Sequence, residues 1–145
     1  AYDGLEEYRQ PIEYGKAEWV YKEQDIALLA VGSMVKTAES VYAKLKEQGK
    51  NVSLLNARFV KPIDEDAVLE ACEKHTLLVT LEENVASGGY GEKVLDCLQK
   101  NGKDISLLRI AIPDAYVEHG SVDLLKKEIG LDVASITEQI LEKLG

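Results

Sequence analysis

Four groups of side chains in this 145-residue chain have types and spacings that could do chemistry. Gly88-Gly89-Tyr90-Gly91 has the composition of a loop whose backbone N–H groups cradle a phosphate at a helix start. The spacing matches neither G-x-G-x-x-G nor G-x-x-x-x-G-K-[ST], and no acidic residue follows at the dinucleotide offset. A tight turn with close helix–sheet packing is therefore the competing expectation. Glu82 and Glu83 are adjacent carboxylates. Neighbours on an extended chain point opposite ways, so both cannot serve one reacting atom. A pairing with Arg58 or Lys61, or with the N–H groups of the following helix, is expected in place of acid–base catalysis. Arg58 and Lys61 are two cations in one loop, and His119 beside Gly120 could donate a proton or bind phosphate. As an isolated histidine, His119 is expected to be a hydrogen-bonded loop residue. His75 ends a helix, where a cation suits the dipole, and reads as structural. No cluster has metal-ligand spacing and no Ser sits in G-x-S-x-G. No catalytic, cofactor-binding or metal residue is therefore assigned in this chain. The candidates for a crevice or interface are Gly32, Ser33, Arg58, Lys61, Glu82, Glu83, Gly88, Gly89, Gly91 and His119.

The elements that position these residues centre on Asp25 to Met34. Six apolar residues, 26–31, run without alternation, as in a strand buried on both faces. Gly32-Ser33 turns the chain, and Val35, Ala38, Val41, Tyr42 and Leu45 recur at helical spacing. Ser33 is the expected N-cap and Gly49 the expected stop. A second apolar strand follows at residues 52–56, which makes a β-α-β unit. The segment 15–22 alternates loosely and suits a half-exposed edge strand. Residues 57–64 form a loop that Pro62 keeps irregular, and Asp64 caps a helix over 65–74. Residues 77–81 read as a buried strand. A helix carrying Val94, Leu95 and Leu98 stops at Gly102, and residues 105–110 form the last strand. Pro113 breaks the chain, a short helix ends at Gly130, and Asp132 caps a final helix with Val133, Ile136, Ile140, Leu141 and Leu144 as its stripe. Alternating strands and helices with short connections make a three-layer α/β domain with a largely parallel sheet. Ligands in such sheets sit beyond the strands' carboxyl ends at a switch in strand order, where Gly32-Ser33, the 58–64 loop, the 82–91 loop and the 113–120 loop can meet.

Composition narrows the function classes. The formal net charge of −9 argues against nucleic acid and anionic membrane surfaces as partners. No apolar run approaches the ~20 residues of a membrane span, and no secretory signal opens the chain. Cys72 and Cys97 make no C-x-x-C pattern, as expected of a reduced cytoplasmic protein. Residues 1–14 are polar and aperiodic and read as a linker from a preceding domain, leaving residues 15–145 as one domain.

Five segments carry a resemblance: Gly15-Lys-Ala-Glu; Ala30-Val-Gly-Ser-Met34; Asn56-Ala-Arg-Phe-Val-Lys-Pro-Ile-Asp64; Thr80-Leu-Glu-Glu83 with Gly88-Gly-Tyr-Gly91; and Pro113-Asp with Glu118-His-Gly120. In this order, from about Pro11 onward, they resemble the C-terminal domain of the 1-deoxy-D-xylulose-5-phosphate synthases, a transketolase-like family. Other transketolase-like C-terminal domains, such as those of 2-oxo acid dehydrogenase beta subunits, share parts of the pattern. The resemblance implies a five-stranded sheet of order 1-3-2-4-5 with the first strand antiparallel. It implies a homodimeric parent that joins pyruvate to glyceraldehyde 3-phosphate for isoprenoid, thiamine and pyridoxal synthesis. The parent's thiamine diphosphate and Mg²⁺ would lie in preceding domains, leaving this chain as a non-catalytic module for dimerisation and domain packing. A small-ligand regulatory domain using the crevice is the alternative. A receiver- or flavodoxin-like protein would need an acidic cluster at the end of the first parallel strand, and the sequence has none there.

Overall fold

The computed structural model describes residues 15–83, 89–112 and 133–144. Its centre is β2, Asp25–Ala30, and it alternates as a strand must. Ile26, Leu28 and Ala30 enter one core with Val41, Leu45, Val79 and Ile140. Ala27 and Leu29 enter the other with Leu55, Val68, Leu78 and Val94. Helix α1, Met34–Glu47, and helix α4, Val133–Leu144, pack together on the first face. Helices α2, Glu65–Lys74, and α3, Tyr90–Lys100, pack together on the second.

The other strands are β1, Glu18–Tyr21; β3, Val52–Asn56; β4, His75–Glu83; and β5, Ser106–Ile112. The order is β1-β3-β2-β4-β5, with β1 antiparallel to β3 and the remaining pairs parallel. This is the three-layer sheet that alternation and resemblance both implied. β4 is longer than its apolar run, because Glu82 and Glu83 still pair with Ala111 and Ile112 of β5. Ladder hydrogen bonds, not hydrophobicity, set that boundary.

Three helix ends follow expectation, among them α3, which stops before Gly102 with φ +66°. Asp64 accepts the Ala67 N–H at 3.1 Å and caps α2. Gly49 has φ +78°, and the Lys50 N–H returns to Leu45 O at 3.1 Å, which closes α1 with a left-handed cap. Ser33 does not cap α1. Its backbone is already helical (φ −64°, ψ −17°), so its hydroxyl cannot reach the first-turn N–H groups. Those of Met34 and Val35 bond to Val31 O and Gly32 O instead. The α3 stripe also differs: Cys97 is buried beside Val94 and Leu98, while Leu95 is only half-buried. In α4, Leu144 is exposed and leaves the stripe. The proposed short helix before Gly130 and the Asp132 cap lie outside the described residues.

Candidate functional site

The carboxyl end of the sheet holds the candidates, and Glu82 is their hub. It stands at the end of β4 on the α3 side and is 6% exposed. Its Oε1 accepts the Tyr90 N–H at 2.7 Å, and its Oε2 accepts the Gly91 N–H at 2.6 Å. The carboxylate thus meets two orphan donors and the positive end of the α3 dipole together. The glycines are explained by this contact. A Cβ on Gly89 would lie 2.6 Å from Glu82 Oε1. One on Gly91 would lie 3.0 Å from Glu82 Oε2, 3.0 Å from Thr80 Oγ1 and 3.1 Å from Arg109 Nε. Close helix–sheet approach is therefore what the glycines serve, and the helix start meets a carboxylate of its own chain where a phosphate would sit. Gly88 lies outside the described residues.

Glu83 points the other way, as adjacency requires, and its Oε1 accepts from Ser33 Oγ at 2.6 Å. This contact ties the β2 turn, where Gly32 has φ +61°, to the end of β4. The switch between β2 and β4 is thus real and bridged by a hydrogen bond.

Arg58 does not pair with Glu82 or Glu83. Its Nη2 donates to Glu18 Oε1 at 2.7 Å, with the guanidinium side chain 9% exposed. Strand order is the reason. Arg58 follows β3, and β2 stands between β3 and β4, which places the Glu82 strand about 10 Å away. The nearer carboxylate belongs to β1, whose Glu18 is in register with Asn56. The Arg58 backbone sits at φ +60°, and its N–H donates to Asn56 Oδ1 at 3.1 Å. Lys61 is exposed and precedes Pro62, joined to it by a cis peptide bond. It lines a groove of about 560 Å³ between its own loop and α3. His119 lies outside the described residues, so a gathering of Arg58, Lys61 and His119 is not observed.

Other residues at or near this end make contacts that the sequence did not signal. Asp64 accepts the Ala17 N–H at 2.9 Å with the oxygen that does not cap α2, so one carboxylate fixes both the incoming chain and a helix start. Tyr90 is buried. Burial first, then the charges of Asp64, Glu82 and Cys97, pushes its phenol far above the ordinary tyrosine value, so it stays neutral. Thr80 Oγ1 is the buried side-chain oxygen left without a hydrogen-bond partner among the described residues. At the opposite end of the sheet, His75 is buried. Its Nδ1 donates to Ala71 O at 2.7 Å, its Nε2 meets Ser53 Oγ at 2.7 Å, and Ser53 Oγ accepts the Glu23 N–H at 2.7 Å. The Ala71 carbonyl can only accept, which fixes Nδ1 as a donor. His75 is structural, as read, but by hydrogen bonding.

Known proteins resemble this chain in sequence and in fold. The family model described as transketolase, C-terminal domain, matches residues 15–136. The 1-deoxy-D-xylulose-5-phosphate synthase of Lachnoclostridium phytofermentans is 45% identical across 100% of this chain, which spans 23% of that protein. The enzyme of the same name from Thermosynechococcus vestitus is 40% identical across 97% of this chain and 22% of its own length. The chain thus spans less than a quarter of these relatives. Among solved structures, a split-gene transketolase in an inactive beta4 tetramer superposes with a TM-score of 0.79 at 22% identity, covering 90% of this chain and 43% of that one. That likeness concerns the fold.

Proposed function

The chain belongs to the family of transketolase C-terminal domains, and from that premise we propose that it is the C-terminal domain of a thiamine-diphosphate-dependent 1-deoxy-D-xylulose-5-phosphate synthase. The parent, a cytoplasmic homodimer, joins pyruvate to glyceraldehyde 3-phosphate for isoprenoid, thiamine and pyridoxal precursors. Within it, residues 15–145 are a non-catalytic module that packs against the preceding domains and supports the dimer. The high identity to enzymes of that name supports the assignment to this parent. The free Cys72 and Cys97 suit a reducing compartment.

The observation that carries the non-catalytic role is the Glu82 carboxylate on the Tyr90 and Gly91 N–H groups. The glycine-rich helix start is the feature best suited to a diphosphate, and a diphosphate there would face a buried carboxylate. Among the described residues, no group of three or more His, Cys, Asp or Glu side chains is placed to hold a metal ion. Thiamine diphosphate with Mg²⁺ does not fit the described residues, and on this reading the preceding domains hold it. The test is coupled turnover of pyruvate and glyceraldehyde 3-phosphate with added thiamine diphosphate and Mg²⁺. The isolated chain is expected to match a heat-killed control while the parent turns over. Turnover by the isolated chain would overturn the non-catalytic role.

A further inference from the structure

We propose that the groove between residues 60–63 and helix α3 is the seat of the domain that precedes β1 in the parent polypeptide; this rests on the assignment just made. The groove holds about 560 Å³, with Val60, Pro62 and Ile63 as an apolar wall and Lys61, Lys93 and Lys100 along it. Three independent features point to that occupant.

The first is where the described chain enters. Gly15 lies against the Pro62 ring, so close that a Cβ would stand 3.4 Å from Pro62 Cγ. The Ala17 N–H is held by Asp64, and Glu18 is held by Arg58 at 2.7 Å. These bonds fix the first described residues beside the groove's own wall, the side from which the proposed assignment brings the preceding domain. The second is length. The chain spans 23% and 22% of its relatives, so a parent has far more chain to place there than this domain contains. The third is charge. On a chain of net charge −9, this groove is lined by three lysines, Lys61, Lys93 and Lys100, against two carboxylates, Glu65 and Asp96. Lys100 is laid along the rim by Glu65 at 3.1 Å. A neighbouring surface that brings an apolar contact to Val60, Pro62 and Ile63 and a small excess of negative charge complements it.

The experiment is an acylation footprint of the native full-length parent with an amine-reactive reagent, read by mass spectrometry. Lys61, Lys100 and Lys44 are all exposed in this domain, so Lys44 on α1 serves as the internal reference. Lys61 and Lys100 should react about tenfold more slowly than Lys44, the ratio given by a cover favoured by about 1.4 kcal/mol. Lys61→Glu in the parent should bring Lys100 back toward the Lys44 rate, whereas Lys61→Arg should not. Equal rates for all three lysines in a parent that sediments as a dimer would overturn the docking inference and leave the domain assignment standing. Protection that needs added inorganic phosphate would mean an anion site and would also overturn it. A parent lacking residues 15–145 that stays dimeric and active would instead remove the packing role beneath the inference.

Discussion

Glu82 is the side chain on which the sheet end and α3 depend. A carboxylate accepts both N–H groups, whereas a glutamine amide offers one acceptor and turns an NH₂ toward the other donor. Glu82→Gln should therefore cost about 2–3 kcal/mol, for one unmet buried N–H and the lost charge at the helix start. The urea midpoint would fall, and an unchanged midpoint would mean the contact is unimportant. The same occupancy predicts that inorganic phosphate leaves the melting temperature unchanged. A native-state ligand at 100 times its dissociation constant would add about 2.7 kcal/mol, which a melting curve resolves. At Arg58 the expected partner is now Glu18. A double-mutant cycle of Arg58→Met with Glu18→Gln should give a coupling of about 1 kcal/mol, since the pair is mostly buried but not fully so. Coupling of Arg58 to Glu83 instead would contradict the strand order. The helix N–H partner of Glu82 was legible because acid, glycines and helix start follow one another in sequence. The Arg58 partner was not, because it depends on strand order, which puts β1 beside β3 and β2 between β3 and β4.

At the scale of elements, β2 was the most legible feature. An unbroken apolar run has no solvent face to alternate against, and β2 supplies both cores. Leu29 is fully buried, so Leu29→Asp should place an unpaired charge in the core and cost several kcal/mol, comparable to the total stability of a domain. A denaturation curve equal to the parent chain's would refute that placement. Element ends were less legible. Ser33 has the right side chain for a cap but the wrong backbone, and β4 runs on through two acids because its neighbour does. The edge strand β1 is fastened through Trp19 and Lys22, both bonded to Glu70 of α2. The Lys22 hydrogen bond, against partial burial, holds the Glu70 carboxyl below the usual carboxylate range. Its folded value is depressed, so this contribution is present above the unfolded glutamate value of about 4.3 and is lost as pH falls through the folded one. Lys22→Met should flatten the acid limb of the stability profile below about pH 4.3, by no more than about 0.5 kcal/mol for so exposed a pair.

At the scale of the molecule, class and topology were readable because strand and helix periodicities alternate along the whole chain. The role was not readable from any one residue, since the polar side chains at the sheet's carboxyl end bond to one another: Ser33 to Glu83, Glu82 to α3, Arg58 to β1. A crevice whose charged side chains, among the described residues, meet groups of their own chain suits a packing module, and that is the central claim. Sedimentation velocity of the parent truncated before residue 15, run beside the intact parent at equal concentration with turnover measured on both, tests it most directly. The intact parent should sediment as an active dimer, and the truncated one as a monomer without turnover. A truncated parent that remains an active dimer would contradict the account.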